Sequence, residues 1–205
     1  MASGDEYDPE YETTTMTTTT TITTATTSPG FKVELPTQPK LSQTPIAHSG
    51  CCLALSTPLL AHLQDLLPAS PSLILSIGSG YGLLEAFLLA EPYSLHVTGV
   101  EVQPSPNRYL PPTHHRCVSG SRFLHPLAGE AAAWLLVYPR RVGLVTEYLD
   151  TYGKERVETV VWVGPRADWE DYRDCFNSRW DVHVKSTEEV GGRAWELIAV
   201  ARKKS

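Results

Sequence analysis

The chain has 205 residues, of which 41% are hydrophobic and 20% charged, and its formal net charge is −6. This is the composition of an ordinary globular protein whose core is large enough to need neither disulfides nor a metal ion. Residues 46–205 carry seventeen acidic and fifteen basic side chains, a near-neutral balance that argues against nucleic acid as a partner.

Residues 1–45 differ in composition from the rest of the chain. The run from Thr13 to Thr27 is almost pure threonine and offers nothing apolar to bury. Such a segment cannot offset an ordering entropy of roughly 1–2 kcal/mol per residue. We therefore expect a disordered Thr-rich tail that ends in a linker containing Pro36, Pro39 and Pro45. A single folded domain is expected over residues 46–205.

The folded part alternates between helical and strand patterns. Thr57 and Pro58 predict a helix start, with threonine as the cap, and leucines on one face continue that helix to about residue 67. A buried strand follows at 73–77 and a nearly all-apolar helix at 83–90. The later patterns predict strands at 96–102, 116–118, 134–138 and 157–163, helices at 142–152 and 168–176, and paired strands at 180–187 and 194–202.

This order of elements predicts the fold class. Strands that alternate with helices indicate a parallel sheet covered by helices on both faces. The last two strands flank Gly191-Gly192 and are typical of a hairpin, which adds an antiparallel edge. We therefore predict an α/β domain with a Rossmann-like, mostly parallel sheet and a C-terminal antiparallel hairpin.

A glycine-rich loop, Gly78-Ser79-Gly80-Tyr81-Gly82, joins the first strand to the next helix. Glycines there allow a tight turn and let backbone approach a ligand, and ligands of open α/β sheets bind at such strand ends. Glu101 ends the next strand, where a carboxylate can accept hydrogen bonds from ribose hydroxyls. The loop and Glu101 together predict a nucleoside-containing ligand. The alternative is a tight turn beside a solvent-facing glutamate.

The glycine spacing distinguishes between nucleoside cofactors. The dinucleotide fingerprint places a small residue where this chain has Leu83, which disfavours an NAD-type oxidoreductase. The G-x-G-x-G pattern resembles motif I of class I (Rossmann-like) S-adenosylmethionine-dependent methyltransferases, and residues 99–102 resemble their ribose-binding motif. Residues 134–140 and 164–172 resemble an uncharacterised fungal subgroup with this fold, a likeness that carries no activity.

The resemblance implies methyl transfer from S-adenosyl-L-methionine to an unknown acceptor, either a small molecule or a protein. It places the loop residues 78–82 under the methionine part of the cofactor and Glu101 on its ribose. One position departs from the pattern, because the family usually has Asp or Glu where this chain has Ser76. A serine hydroxyl can still contact the cofactor's amino group but cannot neutralise an ammonium. A non-catalytic binding or interaction protein of the same fold therefore remains an alternative.

Methyl transfer needs proximity and orientation first, and a base only if the acceptor must lose a proton. The candidates for a base are Tyr138 after the fourth strand, Asp168 after the fifth and His115 before the third. Tyr138 can instead simply end its strand. Asp168 can instead cap the helix at 168–176, with Asp171 completing a capping box. The sequence does not specify an oligomeric state.

Cysteine usage and hydropathy predict the compartment. The four cysteines form no CxxC pair, so the sequence predicts no metal site. The first twelve residues are acidic and lack the apolar run of a secretory signal. No stretch approaches the roughly 18 apolar residues of a membrane span. We expect a cytoplasmic protein that does not bind membranes, with the nucleus as the alternative.

Overall fold

The computed structural model describes residues 35–204. Most of the predicted tail lies outside the described residues, so its disorder stays a prediction. The strands are β1 (Ile74–Ile77), β2 (Val97–Val102), β3 (His115–Val118), β4 (Ala133–Val137), β5 (Thr159–Pro165), β6 (Trp180–Ser186) and β7 (Glu196–Lys203). The α-helices are α1 (Thr57–Leu66), α2 (Leu83–Leu89), α3 (Val142–Tyr152) and α4 (Trp169–Tyr172), and short 3₁₀ turns join several of these elements.

All seven strands form one sheet in the order β3-β2-β1-β4-β5-β7-β6. The first five strands pair in parallel, whereas β7 runs antiparallel to both β5 and β6. The chain starts at β1, moves outward through β2 and β3, and returns to β4 on the other side of β1. The predicted fold class is therefore confirmed, including the antiparallel pair at the C-terminus.

The central strands are apolar on both faces because helices cover both. One half of the core joins α1, α2 and residues 53–55 to the sheet, with Leu63 and Leu88 fully buried in it. The other half joins α3 and α4 to the opposite face. There Trp162 of β5 lies 5.2 Å from the Trp169 ring centroid, which fixes the short helix α4 against the sheet.

Two predicted helix caps are wrong. The N-cap of α1 is Ser56 instead of Thr57, because Ser56 has the extended backbone of a cap and its Oγ accepts from the Leu59 N–H. Asp168 has helical φ and ψ and its side chain caps nothing, because a 3₁₀ turn over 166–168 runs directly into α4. For the same reason the α-helix predicted at 168–176 is a single turn between two 3₁₀ segments.

Residues 35–45, the end of the predicted linker, lie against the domain. The Gln38 side chain donates to the Ala86 carbonyl at 3.0 Å, and the Thr57 N–H donates to the Ser42 carbonyl at 2.9 Å. Leu41 packs on the core cluster that includes α1 and α2. These contacts connect the described linker residues to two helices. None of the helices among residues 35–204 is long and apolar enough to span a membrane.

Candidate functional site

A cavity of about 820 Å³ opens at the carboxyl ends of β1, β2 and β4. It lies where the strand order reverses, between β1 and β4. Ligands of doubly wound sheets bind at such switch points because the loops on either side diverge and leave a crevice. The walls come from the loops after these strands and from residues 50–52. The glycine loop therefore stands in the position expected of a ligand-binding loop.

Gly78 and Gly80 present bare backbone to this cavity. Their φ angles are +83° and +56°, and a Cβ at either position would meet no protein atom within 4 Å. Both residues line the cavity, so a side chain there would project into the cavity as well as strain the backbone. This open cradle fits the role that the sequence predicts for the two glycines.

Gly82 does not line the large cavity, and it is needed for close packing against Asn107 and Leu110. A Cβ on it would lie 2.7 Å from Asn107 Oδ1 and 2.8 Å from Leu110 Cγ, and its φ is +78°. Gly99 of β2 is equally constrained, since its Cβ would lie 2.6 Å from Ser79 Oγ. Ser79 is buried against β2, and its Oγ has no hydrogen-bond partner within residues 35–204. Gly82 thus shapes the loop without lining the large cavity.

Tyr81 lines the cavity and holds two neighbouring segments in place. A Cβ on Gly50 would lie 2.6 Å from Tyr81 Cγ, so only glycine lets residues 50–52 approach the ring this closely. The Tyr81 carbonyl accepts from the Arg108 N–H at 3.0 Å and from the Tyr109 N–H at 3.1 Å. The Arg108 guanidinium lies 4.9 Å from the Tyr81 ring centroid. The loop therefore positions the cavity walls contributed by other segments.

The Glu101 carboxylate ties the end of β2 to the glycine loop. Its Oε2 accepts from the Gly80 N–H at 2.7 Å, and its Oε1 accepts from the Val102 N–H at 2.7 Å. Glu101 is half-buried in the cavity wall, and each carboxylate oxygen can accept a further hydrogen bond. Glu101 therefore stabilises the loop and keeps the capacity to bind ligand hydroxyls, of which the sequence predicts only the second.

Ser76 lies beneath the loop instead of in the wall of the large cavity. It is fully buried, and its Oγ donates to Glu85 Oε1 at 2.5 Å. Glu85 is in the first turn of α2 and is 3% exposed. Burial raises the pKa of Glu85 to about 7, with the Ser76 hydrogen bond opposing the rise and the Glu101 charge adding to it. An acid absent from position 76 is thus present nine residues later.

Tyr138 follows β4 and lines the cavity, but its hydroxyl is engaged elsewhere. It donates to Glu196 Oε1 at 2.8 Å, and the buried Glu196 carboxylate also accepts from the Ala54 and Arg193 N–H groups. Burial, together with this hydrogen bond, raises the pKa of Tyr138. Its φ of +49° is unusual for a residue with a side chain and marks local strain. The geometry gives Tyr138 a connecting role and does not favour it as a base.

The other two candidate bases do not line the cavity. His115 begins β3, where its Nε2 lies 3.4 Å from Cys117 Sγ and burial lowers its pKa. Asp168 is exposed at the end of a 3₁₀ turn. The structure therefore brings Gly78, Gly80, Tyr81, Glu101 and Tyr138 together, and it leaves His115 and Asp168 outside. Among residues 35–204, no group of three or more His, Cys, Asp or Glu side chains is placed to hold a metal ion.

The outer part of the cavity is lined by Arg140 and Arg141, which follow β4, and by Ser121 and Phe123 from the loop before β4. Arg141 donates to both Glu147 oxygens at 2.8 Å and to the Ser121 carbonyl at 2.7 Å, which fixes the loop before β4 against α3. Arg140 is exposed at this rim, and Phe123 is 60% exposed. The sequence places Arg140 and Arg141 after the fourth strand and makes Arg140 a candidate for binding an anionic acceptor. No motif predicts Ser121 and Phe123, because only the fold brings their loop to the same opening.

Neither a protein-family model nor a curated protein matches the sequence. Solved structures do resemble it. A protein of Thermoplasma acidophilum is 18% identical with a TM-score of 0.52, over 81% of this chain and 93% of that one. Precorrin-6y C5,15-methyltransferase from Geobacter metallireducens is 11% identical with a TM-score of 0.55, over 75% and 91%. A dimethyladenosine transferase from Plasmodium falciparum is 14% identical with a TM-score of 0.50, over 77% and 63%. The chain therefore has the Rossmann-like methyltransferase fold.

Proposed function

We propose that the chain binds S-adenosyl-L-methionine in the large cavity and transfers its methyl group to an acceptor at the same opening. The observation that carries the proposal is the bare backbone of Gly78 and Gly80 facing a cavity that Glu101 also lines. A volume of about 820 Å³ is within the range of small-molecule sites. Two solved structures with this fold, a methyltransferase and a dimethyladenosine transferase, support methyl transfer as the reaction class.

The residues around the cavity have different roles in binding the cofactor. When bound, the cofactor supplies a methyl group on a positively charged sulfur, so proximity and orientation provide most of the catalysis. Gly78 and Gly80 let the backbone approach the methionine part. Glu101 accepts hydrogen bonds from the ribose hydroxyls, using the lone pairs that the Gly80 and Val102 N–H groups leave free. Tyr81 and Tyr138 hold the walls that confine the ligand.

The rim of the cavity indicates the acceptor class. Arg140 is exposed there and Phe123 offers an apolar ring, so we expect a small molecule or protein side chain with anionic or aromatic character. The four free cysteines are consistent with a reducing cytosolic or nuclear compartment. The fungal subgroup named from the sequence stays a prediction.

A second candidate function is a non-catalytic binding or interaction protein with the same fold. It is favoured by the state of the candidate bases. Tyr138 is hydrogen-bonded to Glu196 and its pKa is raised, while His115 and Asp168 lie outside the cavity. Such a protein would keep the cavity and need no base.

Calorimetry on the full chain tests the proposal. We expect S-adenosylmethionine and S-adenosylhomocysteine to bind with dissociation constants below about 1 mM, and NAD not to bind. Binding of NAD alone would favour an oxidoreductase. If none of the three ligands binds, the methyltransferase proposal is wrong and the non-catalytic interaction protein is favoured. For a variant of the glycine loop such as Gly80→Val, the matched control is Gly120→Ala, because Gly120 lies outside the cavity lining and a Cβ there would meet only ordinary contacts with Phe123.

A further inference from the structure

Glu85 is a carboxylate in an environment that does not suit a carboxylate. Every other residue of α2 is apolar, and Glu85 itself is 3% exposed. Burying an ionised carboxylate is costly unless a partner compensates it. Within residues 35–204, its one hydrogen bond to another residue comes from the neutral Ser76 hydroxyl. The structure therefore holds a buried acid whose charge has no cationic partner in the described chain.

This acid lines a small cavity of about 60 Å³ beneath the glycine loop. The other lining residues include Gly78, Ser79 and Gly80, together with Cys51 and Cys52, and none of the lining side chains is cationic. Ser79 is 8% exposed, and its Oγ lacks a hydrogen-bond partner among the described residues. Leu83, Leu84 and Val137 complete a largely apolar wall, in which Glu85 and Ser79 supply the carboxylate and the hydroxyl. The small cavity is of a size for an ammonium group or a water molecule.

The small cavity adjoins the large one. Gly78 and Gly80 line both, as do residues 50–52 and Val137. A ligand that lies across the two glycines would therefore bring one end close to Glu85. The charged and titratable groups around Glu85 are Glu101 from the end of β2 and the Cys51 and Cys52 thiols from segment 50–52. Burial raises the pKa of the Cys51 thiol to about 12, so Cys51 is neutral, and the Glu101 charge favours a cation.

We propose that Glu85, positioned by Ser76, binds the ammonium group of an amino-acid-bearing ligand in the small cavity beneath the loop. The proposal rests on the proposed function, because it concerns the amino-acid end of S-adenosylmethionine. It supplies from α2 the negative charge that Ser76 does not provide at the end of β1. It also gives the site a preference for ligands that keep this amino group.

The proposal predicts that ligand binding depends on pH through the ionisation of Glu85. Burial and the Glu101 charge raise the pKa of Glu85 to about 7, so the empty site holds a mixture of neutral and ionised Glu85 near neutral pH. An ammonium beside Glu85 favours the ionised form and releases a proton. S-adenosylhomocysteine should therefore bind about tenfold more tightly at about pH 8 than at about pH 6, with measurable proton release. A nucleoside without the amino group should show neither effect.

The experiment compares S-adenosylhomocysteine with 5′-methylthioadenosine, which has the same nucleoside and sulfur but no amino-acid part. Calorimetry of full-length Glu85→Gln should show an affinity for S-adenosylhomocysteine that is about ten- to a hundredfold weaker than that of the wild type. The affinity for 5′-methylthioadenosine should be unchanged. The matched control is Glu91→Gln, an exposed acid just after the same helix, which should change neither. Should Glu85→Gln fail to fold, the pH dependence and proton release of the wild type carry the test.

The outcomes distinguish the role of Glu85 from the proposed function. Equal losses for both ligands in Glu85→Gln would make Glu85 a structural residue and overturn the inference. Unchanged binding of both, or a flat pH profile for S-adenosylhomocysteine in the wild type, would overturn it as well. In each of these cases the proposed function stands, because the nucleoside still binds. Failure of the wild type to bind either ligand would overturn the proposed function and the inference with it.

Discussion

Replacing Glu101 by alanine separates the two roles that the structure gives this residue. The carboxylate accepts one N–H from Gly80 and one from Val102, each at 2.7 Å. Hydrogen bonds to a charged group contribute about 1.5–3 kcal/mol each, and water entering from the open cavity replaces part of that loss. We therefore expect Glu101→Ala to lose about 2 kcal/mol of unfolding free energy without any ligand, which lowers Tm by about 4–8 °C.

Ligand binding then reports the second role. A less stable loop should weaken the binding of S-adenosylhomocysteine and of its 2′,3′-dideoxy analogue by the same factor. Loss of the ribose hydrogen bonds should weaken only S-adenosylhomocysteine, by a further ten- to a hundredfold or about 1.5–3 kcal/mol. Thermal unfolding measures the first effect and calorimetry with both ligands measures the second. Glu91→Ala, an exposed acid, is the control for the change of net charge.

Two results would refute this reasoning. An unchanged Tm for Glu101→Ala would show that the bonds to Gly80 and Val102 contribute nothing to stability. Equal losses of affinity for both ligands would show that Glu101 supports the loop and does not contact ribose. In that case the ribose assignment would be withdrawn, while the structural role would remain.

Two further predictions concern the loop and the linker. Gly80→Val should abolish S-adenosylhomocysteine binding, because φ is +56° and the side chain would enter the cavity, while circular dichroism still shows a folded protein; normal binding would mean that the loop is only a turn. A chain beginning at residue 35 should melt with the full-length protein. One beginning at residue 46 loses the bonds of Gln38 and Ser42, about 2 kcal/mol, and should melt about 4–8 °C lower. Equal Tm values for both truncations would show that residues 35–45 do not stabilise the fold.

The order of the strands and the position of the glycine loop follow from sequence patterns. Apolar runs place the central strands to within about two residues, because strands buried on both faces must be apolar. The last two strands are placed as closely by the hairpin pattern around Gly191-Gly192. Gly78 and Gly80 follow β1 directly, and Glu101 ends β2, so their meeting at one edge of the sheet follows from parallel pairing. These are local patterns combined with one topological rule.

Helix ends are less well determined by the sequence. Ser56 and Thr57 are both good caps, and only the backbone path set by contacts with Ser42 and Gly191 selects Ser56. Asp168 matches a capping box, yet the packing of Trp169 on Trp162 draws the chain into a 3₁₀ turn before α4. Propensity is weak, and tertiary contacts worth more free energy override it.

The hydrogen-bond partners of Glu85 and Tyr138 are decided by the tertiary structure. Glu85 is visible in the sequence as the one acid of an apolar helix, but its hydrogen bond to Ser76 exists only because α2 packs back on β1. The sequence makes Tyr138 a candidate base, but in the structure its hydroxyl donates a hydrogen bond to Glu196, 58 residues away. A local sequence pattern cannot predict such contacts. It shows which face of a helix or strand is apolar, but not which residues pack against that face.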